Sequence, residues 1–477
     1  MTGRTWSSWV DGSFLSVAGA KPVPLVNPAT EAPFAEVAPA GAAEVDRAVR
    51  GAHAAFTGGW RDLAPGKRAG LLMAVAAAIR AHLEELAQLE TACMGMPITE
   101  SRDCVDGTAG VFEYYAGAVT RLVGQTIPVA RGGFDYTLRQ PLGVVAAIVP
   151  WNFRLLIASW KVAPALAAGN AVVLKPASLA PLTALRLGEL AAGAGLPAGV
   201  LQVLAGPGGA MGDALATHPL VRKIGFTGST AVGSHLMGLA AGDIKRVSLE
   251  LGGKSPNIVF ADADVDRAAS SSPMSVFANT GQDCCARSRM FVERPVYDRF
   301  VAGFVAATKK LAVGDPLNEK TELGPMVSAG QREVAETFLK EARGAGRKVA
   351  VGGERPFPKG YYLNPAVILD PPVADRCWRE EIFGPVVCIR PFDDEAAMLA
   401  EVNDTPYGLS ASVWTRDLSR AHRVARLVES GVISVNCHNS VHTTAPFGGF
   451  KQSGLGRDLG MNALDSYTET KNIYIAI

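Results

Sequence analysis

The chain has 477 residues, more than one hydrophobic core usually serves, which suggests two or three domains. A formal net charge of +1, with no basic block or acidic tail, points away from nucleic acid and from anionic membranes. The longest strongly apolar run near the middle, GVVAAIVP at 143–150, is far too short to span a bilayer.

The N-terminal MTGRTWSSWVDGSF lacks the charged-then-apolar pattern of a secretion signal. Residues 41–92 then read as two helices, the second carrying Leu71, Leu72, Val75, Ile79, Leu83, Leu86 and Leu89 as a core stripe. FDYTLRQPLG at 134–143 alternates like a hairpin strand. From Val144 short apolar runs (VVAAIVP, AVVLKP, VLQVLAG, VRKIGFTG, RVSLEL) alternate with helical stretches. That rhythm predicts βαβ units in a parallel, doubly wound sheet, with ligands at the carboxyl ends of its strands. A second α/β region starts near Ser255 and runs through PNIVFAD, MFVER, KVAVGG and VVCIRPF. The tail DSYTETKNIYIAI alternates again, and its apolar surface calls for a partner, plausibly another subunit.

Seven cysteines, odd in number and without framework spacing, suit reduced thiols in a cytoplasmic protein. No Cys-x-x-Cys occurs, and adjacent cysteines make poor joint ligands, so no metal is expected. The glycine spacing of the Rossmann fingerprint is missing. AGPGGAMG at 205–212, which contains Gly208, comes near it but with the wrong spacing. FTGSTAVG, with Phe226 and Ser229, follows a strand and opens a helix; it is either a phosphate-binding turn or an ordinary helix cap. Asn152 is a candidate amide donor to an anion, or a turn residue. Lys175 is a candidate contact to a sugar hydroxyl or phosphate, or a solvated charge. Glu250, at a strand end before a glycine pair, is a raised-pKa base or a capping acid. The acid pair Glu380–Glu381 before Phe383 is functional or merely surface charge.

Together PWNF (150–153), LKP (174–176), FTGST (226–230), LELGGKSP (249–256), GQDC (281–284), EEIFGPV from Glu380 and PFGGFKQSGLGRDLG (446–460) make the chain resemble the aldehyde dehydrogenase superfamily along essentially its whole length. The resemblance implies an α/β fold of two doubly wound domains plus a small β oligomerisation flap. A Rossmann-like NAD(P)-binding domain would span 1–121 and 142–251, a catalytic domain 252–452, and the oligomerisation segment 122–141 and 453–477. It implies a small-molecule aldehyde as partner and a homodimer or homotetramer.

The implied roles follow the motifs. Cys284 is the nucleophile, Asn152 with the Cys284 N–H the oxyanion donors, and Glu250 the base that directs water onto the thioester. Glu381 would hold the nicotinamide ribose beside Phe383, while Trp151, Lys175, Ser178, Gly208, Phe226 and Ser229 would contact the cofactor. Phe153, Ile157, Trp160, Asp283 and Phe447 would line the substrate tunnel, which suggests a medium-sized aliphatic aldehyde, semialdehyde or aminoaldehyde. Cys285, where the family varies, reads as a passenger open to oxidation. The alternatives are a CoA-acylating relative, disfavoured by the presence of Glu250, and a catalytically silent binding protein on the same scaffold.

Four departures stand out. Arg154 replaces the usual proline after PWNF, and either alters the turn or meets a substrate carboxylate. Ser178 replaces the acid of many NAD-preferring members, which removes repulsion of a 2′-phosphate and predicts that NADP is accepted alongside NAD. Asp283 before the nucleophile either raises the thiol's pKa and attracts a cationic substrate, or hydrogen-bonds nearby backbone. His438 stands where oxidisers of trimethylammonium aldehydes carry a tryptophan, which disfavours betaine aldehyde.

Overall fold

Val144–Ile148 is buried along its whole length, and the reason lies on its two faces. Val145 and Ala147 join one core with Val172 and Leu174; Val144, Ala146 and Ile148 join another with Ala171 and Val173. A strand covered on both sides needs apolar residues at every position, hence the unbroken run. The computed structural model describes residues 5–16, 19–130, 132–438 and 441–477.

Strands Arg246–Glu250, Val221–Thr227, Val144–Ile148, Ala171–Lys175 and Leu201–Val203 lie parallel in that spatial order. The chain leaves Val144–Ile148 in one direction, then returns to build outward on its other side with Val221–Thr227. The switch point between these two strands is where an open α/β sheet presents a crevice. Antiparallel strands Gly454–Leu455 and Trp9–Val10 with Ser13–Phe14 finish the two edges.

A seven-stranded sheet forms the second α/β body, in the order Lys348–Val351, Ala366–Leu369, Val386–Phe392, Arg289–Glu293, Pro256–Val259, Ser410–Trp414, Val432–Val435. All its pairs are parallel except the first. Thr468–Ala476 pairs with Gly133–Pro141 over nine residues, and Thr126–Ile127 adds a short third strand. Thr5–Trp6, Ala32–Val37 and Val23–Asn27 form a further small sheet. Among the described residues no helix is long and apolar enough to cross a membrane.

Three local differences from the sequence reading matter. The helix expected to run past residue 81 breaks at His82, whose φ of −112° and ψ of 22° leave the α region, giving Pro65–Ala81 and Leu83–Met94. A 21-residue helix, Ile98–Ala118, was not anticipated, because polar residues and glycines interrupt its apolar periodicity. Residues 453–477 divide between two bodies: Gly454–Leu455 extends the first sheet, and only Thr468–Ala476 belongs to the hairpin sheet.

Candidate active site

Two cavities of about 220 Å³ each meet at Cys284, which lines both. The first lies at the switch point, walled by Pro150, Trp151 and Asn152 after one strand and by Thr227, Gly228 and Ser229 after its neighbour, with Glu381 and Phe383 opposite. The second runs among Glu100, Phe153, Ile157, Trp160, Glu250, Asp283, Cys285 and Phe447. Thus all five residues expected in the tunnel lie together, and Glu250 opens onto the same space.

The nucleophile loop is held tightly. Asn279, Thr280 and Gly281 take left-handed φ values of 50°, 56° and 71° in succession, a strained run of the kind found at functional sites. A Cβ on Gly281 would lie 2.2 Å from the Gly384 carbonyl, so glycine is required there. Gln282 is the fastener: its Oε1 accepts from Val327 N at 2.9 Å and its carbonyl accepts from Asn152 Nδ2 at 3.0 Å. That bond uses one of the two Asn152 amide hydrogens. The glycine pair after Glu250 serves close approach. A Cβ on Gly252 would meet Glu381 Oε2 at 2.4 Å, and one on Gly253 the Cys284 carbonyl at 2.3 Å.

The electrostatics divide the carboxylates. Burial pushes Glu250 well above the usual carboxylate range, Asp458 adds to this, and Lys161 and Arg457 oppose it. Its Oε2 is buried without a partner. Behind it Lys161 donates to Asp458 at 2.8 Å, both fully buried. Burial also raises Glu381 to about 7, although Gly253 N–H donates to its Oε1 at 2.9 Å. The Cys284 thiol is held well above its ordinary value by its hydrogen bond with Cys285, by burial, and by the charges of Asp283 and Glu381. Asp283 is itself raised by burial, and its Oδ1 accepts from Cys285 N at 2.8 Å, so the backbone bond and the repulsion of the thiol coexist.

On the cofactor side, Phe383 sits at a φ of 54° with its ring edge-on to Trp151, centroids 5.3 Å apart. Ser229 caps helix Thr230–Ala240 and its hydroxyl accepts from Val232 N, which leaves an anion-favouring helix start at the first cavity. Lys175 is buried, donates to the Pro176 carbonyl at 2.9 Å and is pushed down to about 8 by desolvation. Ser178 donates to the Gly206 carbonyl at 2.8 Å, and Gly208 opens helix Gly208–Thr217 near the Lys175 ammonium. None of these three lines the first cavity. Phe226 departs from expectation: its ring lies under Gly228 in the sheet core, because its position on the strand points inward, and it does not line the cleft.

Arg154 departs from the substrate-carboxylate reading offered for it. It is buried, ion-paired at 2.9 Å with the equally buried Glu90, and its Nη1 donates to the Trp151 carbonyl. It does not face the tunnel. Thr183 Oγ1 completes the Glu90 shell at 2.6 Å. Sequence reasoning missed Glu100, in the first turn of Ile98–Ala118, since no spacing ties it to residue 283. Its carboxyl rises to about 7 through burial and the nearby Asp283 charge. Gln282 was quoted in a motif without a role; its amide, invariably polar in a buried loop, was the available signal.

Residues 14–473 match the aldehyde dehydrogenase family. The chain is 42% identical over 467 residues to an aldehyde dehydrogenase of Emericella nidulans, covering 98% of this chain and 94% of that one. It is 42% identical over 475 residues to the peroxisomal aminoaldehyde dehydrogenase 2 of Pisum sativum, with the same coverages. The NAD+ complex of an aldehyde dehydrogenase from Bacillus cereus superposes with a TM-score of 0.97 at 40% identity, over 99% of this chain and 97% of that chain.

Proposed function

Because the chain belongs to the aldehyde dehydrogenase family, we propose that it oxidises a medium-sized aldehyde bearing an amino or other cationic end to the carboxylic acid, with hydrolysis of a thioester on Cys284. One observation carries this reading: Cys284 lies where the switch-point cleft and a tunnel walled by Glu250, Asp283 and Glu100 join.

Cys284 Sγ attacks the carbonyl carbon after losing its proton. The oxyanion is met by the free Asn152 Nδ2 hydrogen and the Cys284 N–H, a pair of the kind worth about 3 kcal/mol per donor. When bound in the cleft, NAD or NADP supplies the hydride acceptor. Trp151, Ser229, Glu381 and Phe383 would hold it, with Lys175, Ser178 and Gly208 beside them. The closeness of Glu381 to the backbone of Gly252 and Gly253 leaves its carboxylate facing the cleft as a hydroxyl acceptor. Glu250, with a basic carboxylate and a free Oε2, then takes a proton from the water that attacks the thioester.

The cationic end is read from the tunnel lining, which holds Asp283 and Glu100 and, among the described residues, no lysine, arginine or histidine. The lack of an acid at Ser178, with Lys175 close by, supports use of NADP as well as NAD. Phe134, Leu138, Tyr474, Ile475 and Ile477 are exposed on the hairpin sheet, whose outer strand Thr468–Ala476 has a free edge; a second copy covers it, giving a dimer or a tetramer. The seven cysteines are all free, in keeping with the cytoplasm. A panel of ω-amino, aliphatic and aromatic aldehydes with each cofactor, read at the nicotinamide absorbance, tests the reading. Preference for a neutral aliphatic over the ω-amino aldehyde of equal length would refute the cationic-end assignment.

A further inference from the structure

In an extended chain neighbouring side chains point to opposite faces, so two adjacent cysteines cannot share an ion. Here the chain turns across them. Ala286 N donates to the Asp283 carbonyl at 3.0 Å and Cys285 N to Asp283 Oδ1 at 2.8 Å. The reversal brings a carboxylate oxygen of Asp283 and the sulfurs of Cys284 and Cys285 within 4.8 Å of one another, the one such group of three among the described residues. Adjacent cysteines, poor joint ligands in an extended chain, are thus brought to one side of the turn.

The three donors face the same 220 Å³ cavity, and Glu250, with its buried and unpartnered Oε2, lines it too. Tetrahedral zinc with Zn–S of about 2.3 Å and Zn–O of about 2.1 Å needs donor separations of roughly 3.6–3.8 Å, which small side-chain rotations reach from a 4.8 Å spread. Two thiolates and one carboxylate suit a borderline-soft divalent ion, and water or substrate oxygen can fill the fourth position. No cationic side chain in the lining competes for the space.

We propose that Asp283, Cys284 and Cys285 form a thiophilic metal site inside the tunnel, which takes Zn²⁺ or Cd²⁺ and silences the enzyme by occupying the Cys284 sulfur. Each thiol gives its proton to solvent as its metal–sulfur bond forms, two protons per ion. No oxidant takes part, so a chelator restores the free thiols. The silencing rests on Cys284 being the nucleophile; the binding does not.

The test titrates Cd²⁺ into the metal-stripped full-length protein, following the ultraviolet thiolate-to-cadmium charge-transfer band and dehydrogenase activity in parallel. One Cd²⁺ per chain, two protons released, and band and inhibition that rise together and reverse with EDTA are expected. Cys285→Ser, and separately Asp283→Asn, should weaken Cd²⁺ binding at least about tenfold, as loss of one ligand does. Each variant's inhibition is referred to its own uninhibited rate. Cys437→Ser, which removes the exposed cysteine, should titrate like the wild type. Unchanged Cd²⁺ affinity in both Cys285→Ser and Asp283→Asn, or loss of the band in Cys437→Ser, overturns the site. A band that vanishes in Cys285→Ser while the wild type keeps full activity with Cd²⁺ bound supports the site and overturns the nucleophile assignment instead.

Discussion

The cleft at the strand switch point and the tunnel beyond it have the same volume and share Cys284, yet they are built in different ways. The cleft is walled by Pro150 to Asn152 and Thr227 to Ser229 at the ends of two neighbouring parallel strands, with Leu251, Glu381 and Phe383 completing it. The tunnel is walled by side chains from the helices Arg154–Ala167 and Ile98–Ala118, the nucleophile loop and Phe447, segments up to several hundred residues apart in the chain. A cleft of the first kind accepts one common cofactor. A wall of the second kind changes with each side chain, and in this protein it carries carboxylates.

The comparison can be broken most forcefully at the shared residue. Cys284→Ala should lower kcat by at least about 10³-fold with the fold and cofactor affinity intact, measured by steady-state rates and cofactor titration. If activity survives, the two cavities do not meet in a reaction centre. Glu250→Gln, on the tunnel side, should slow turnover by about 10²–10⁴-fold and leave a stoichiometric pre-steady-state burst of reduced nicotinamide, because acylation outlives hydrolysis. Absence of the burst would move Glu250 to the first half of the reaction. Added CoA that restores turnover with an acyl-CoA product would favour the acylating alternative.

The tunnel carboxylates predict a pH effect that the cleft does not share. Glu100 is raised to about 7, so it is largely neutral below that pH and charged above it. KM for an ω-amino aldehyde should fall as pH rises through about 7, while KM for a neutral aldehyde of equal length stays level. Glu100→Gln should remove the difference, a change of about tenfold in relative kcat/KM. Asp283→Asn removes a charge that holds the thiol up, so the acid limb of the kcat/KM profile should move to lower pH; a shift to higher pH would show that Asp283 aids ionisation.

The smallest expected effect lies on the cofactor side. Lys175 carries its charge below about 8 and loses it above, so the ratio of NADP to NAD activity should decline as pH rises through that value. Ser178→Glu should cut NADP use by about tenfold at neutral pH, read from kcat/KM with each cofactor. Equal NADP use in that variant would place the 2′-phosphate elsewhere.

Legibility follows the same division. The strands at Val144 and Ala171 could be read because burial on both faces demands continuous apolar runs, and those at Val221 and Arg246 because their shorter apolar stretches keep the same alternation with helices. Ser410–Trp414 escaped notice because Ser410 and Ser412, although buried, interrupt the apolar pattern. Glu381 was found through a motif whose Gly384 meets Gly281 across the fold, and Asn152 through PWNF just past a strand end. Phe226 was misplaced because a motif reports proximity along the chain and not which way a strand residue points.

The motifs at 150–153, 249–256, 281–284, 380–386 and 446–460 were enough by themselves to carry the resemblance to the family and with it the reaction class, since the turns and close backbone approaches they form depend on local sequence. Only tertiary structure decided that Arg154 is spent on Glu90, that Glu100 stands in the tunnel near Asp283, and that one turn gathers a carboxylate and two sulfurs. Those facts depend on which distant helices and loops share a buried space, where loss of water makes each charge and each neighbour count, and sequence spacing carries no record of that.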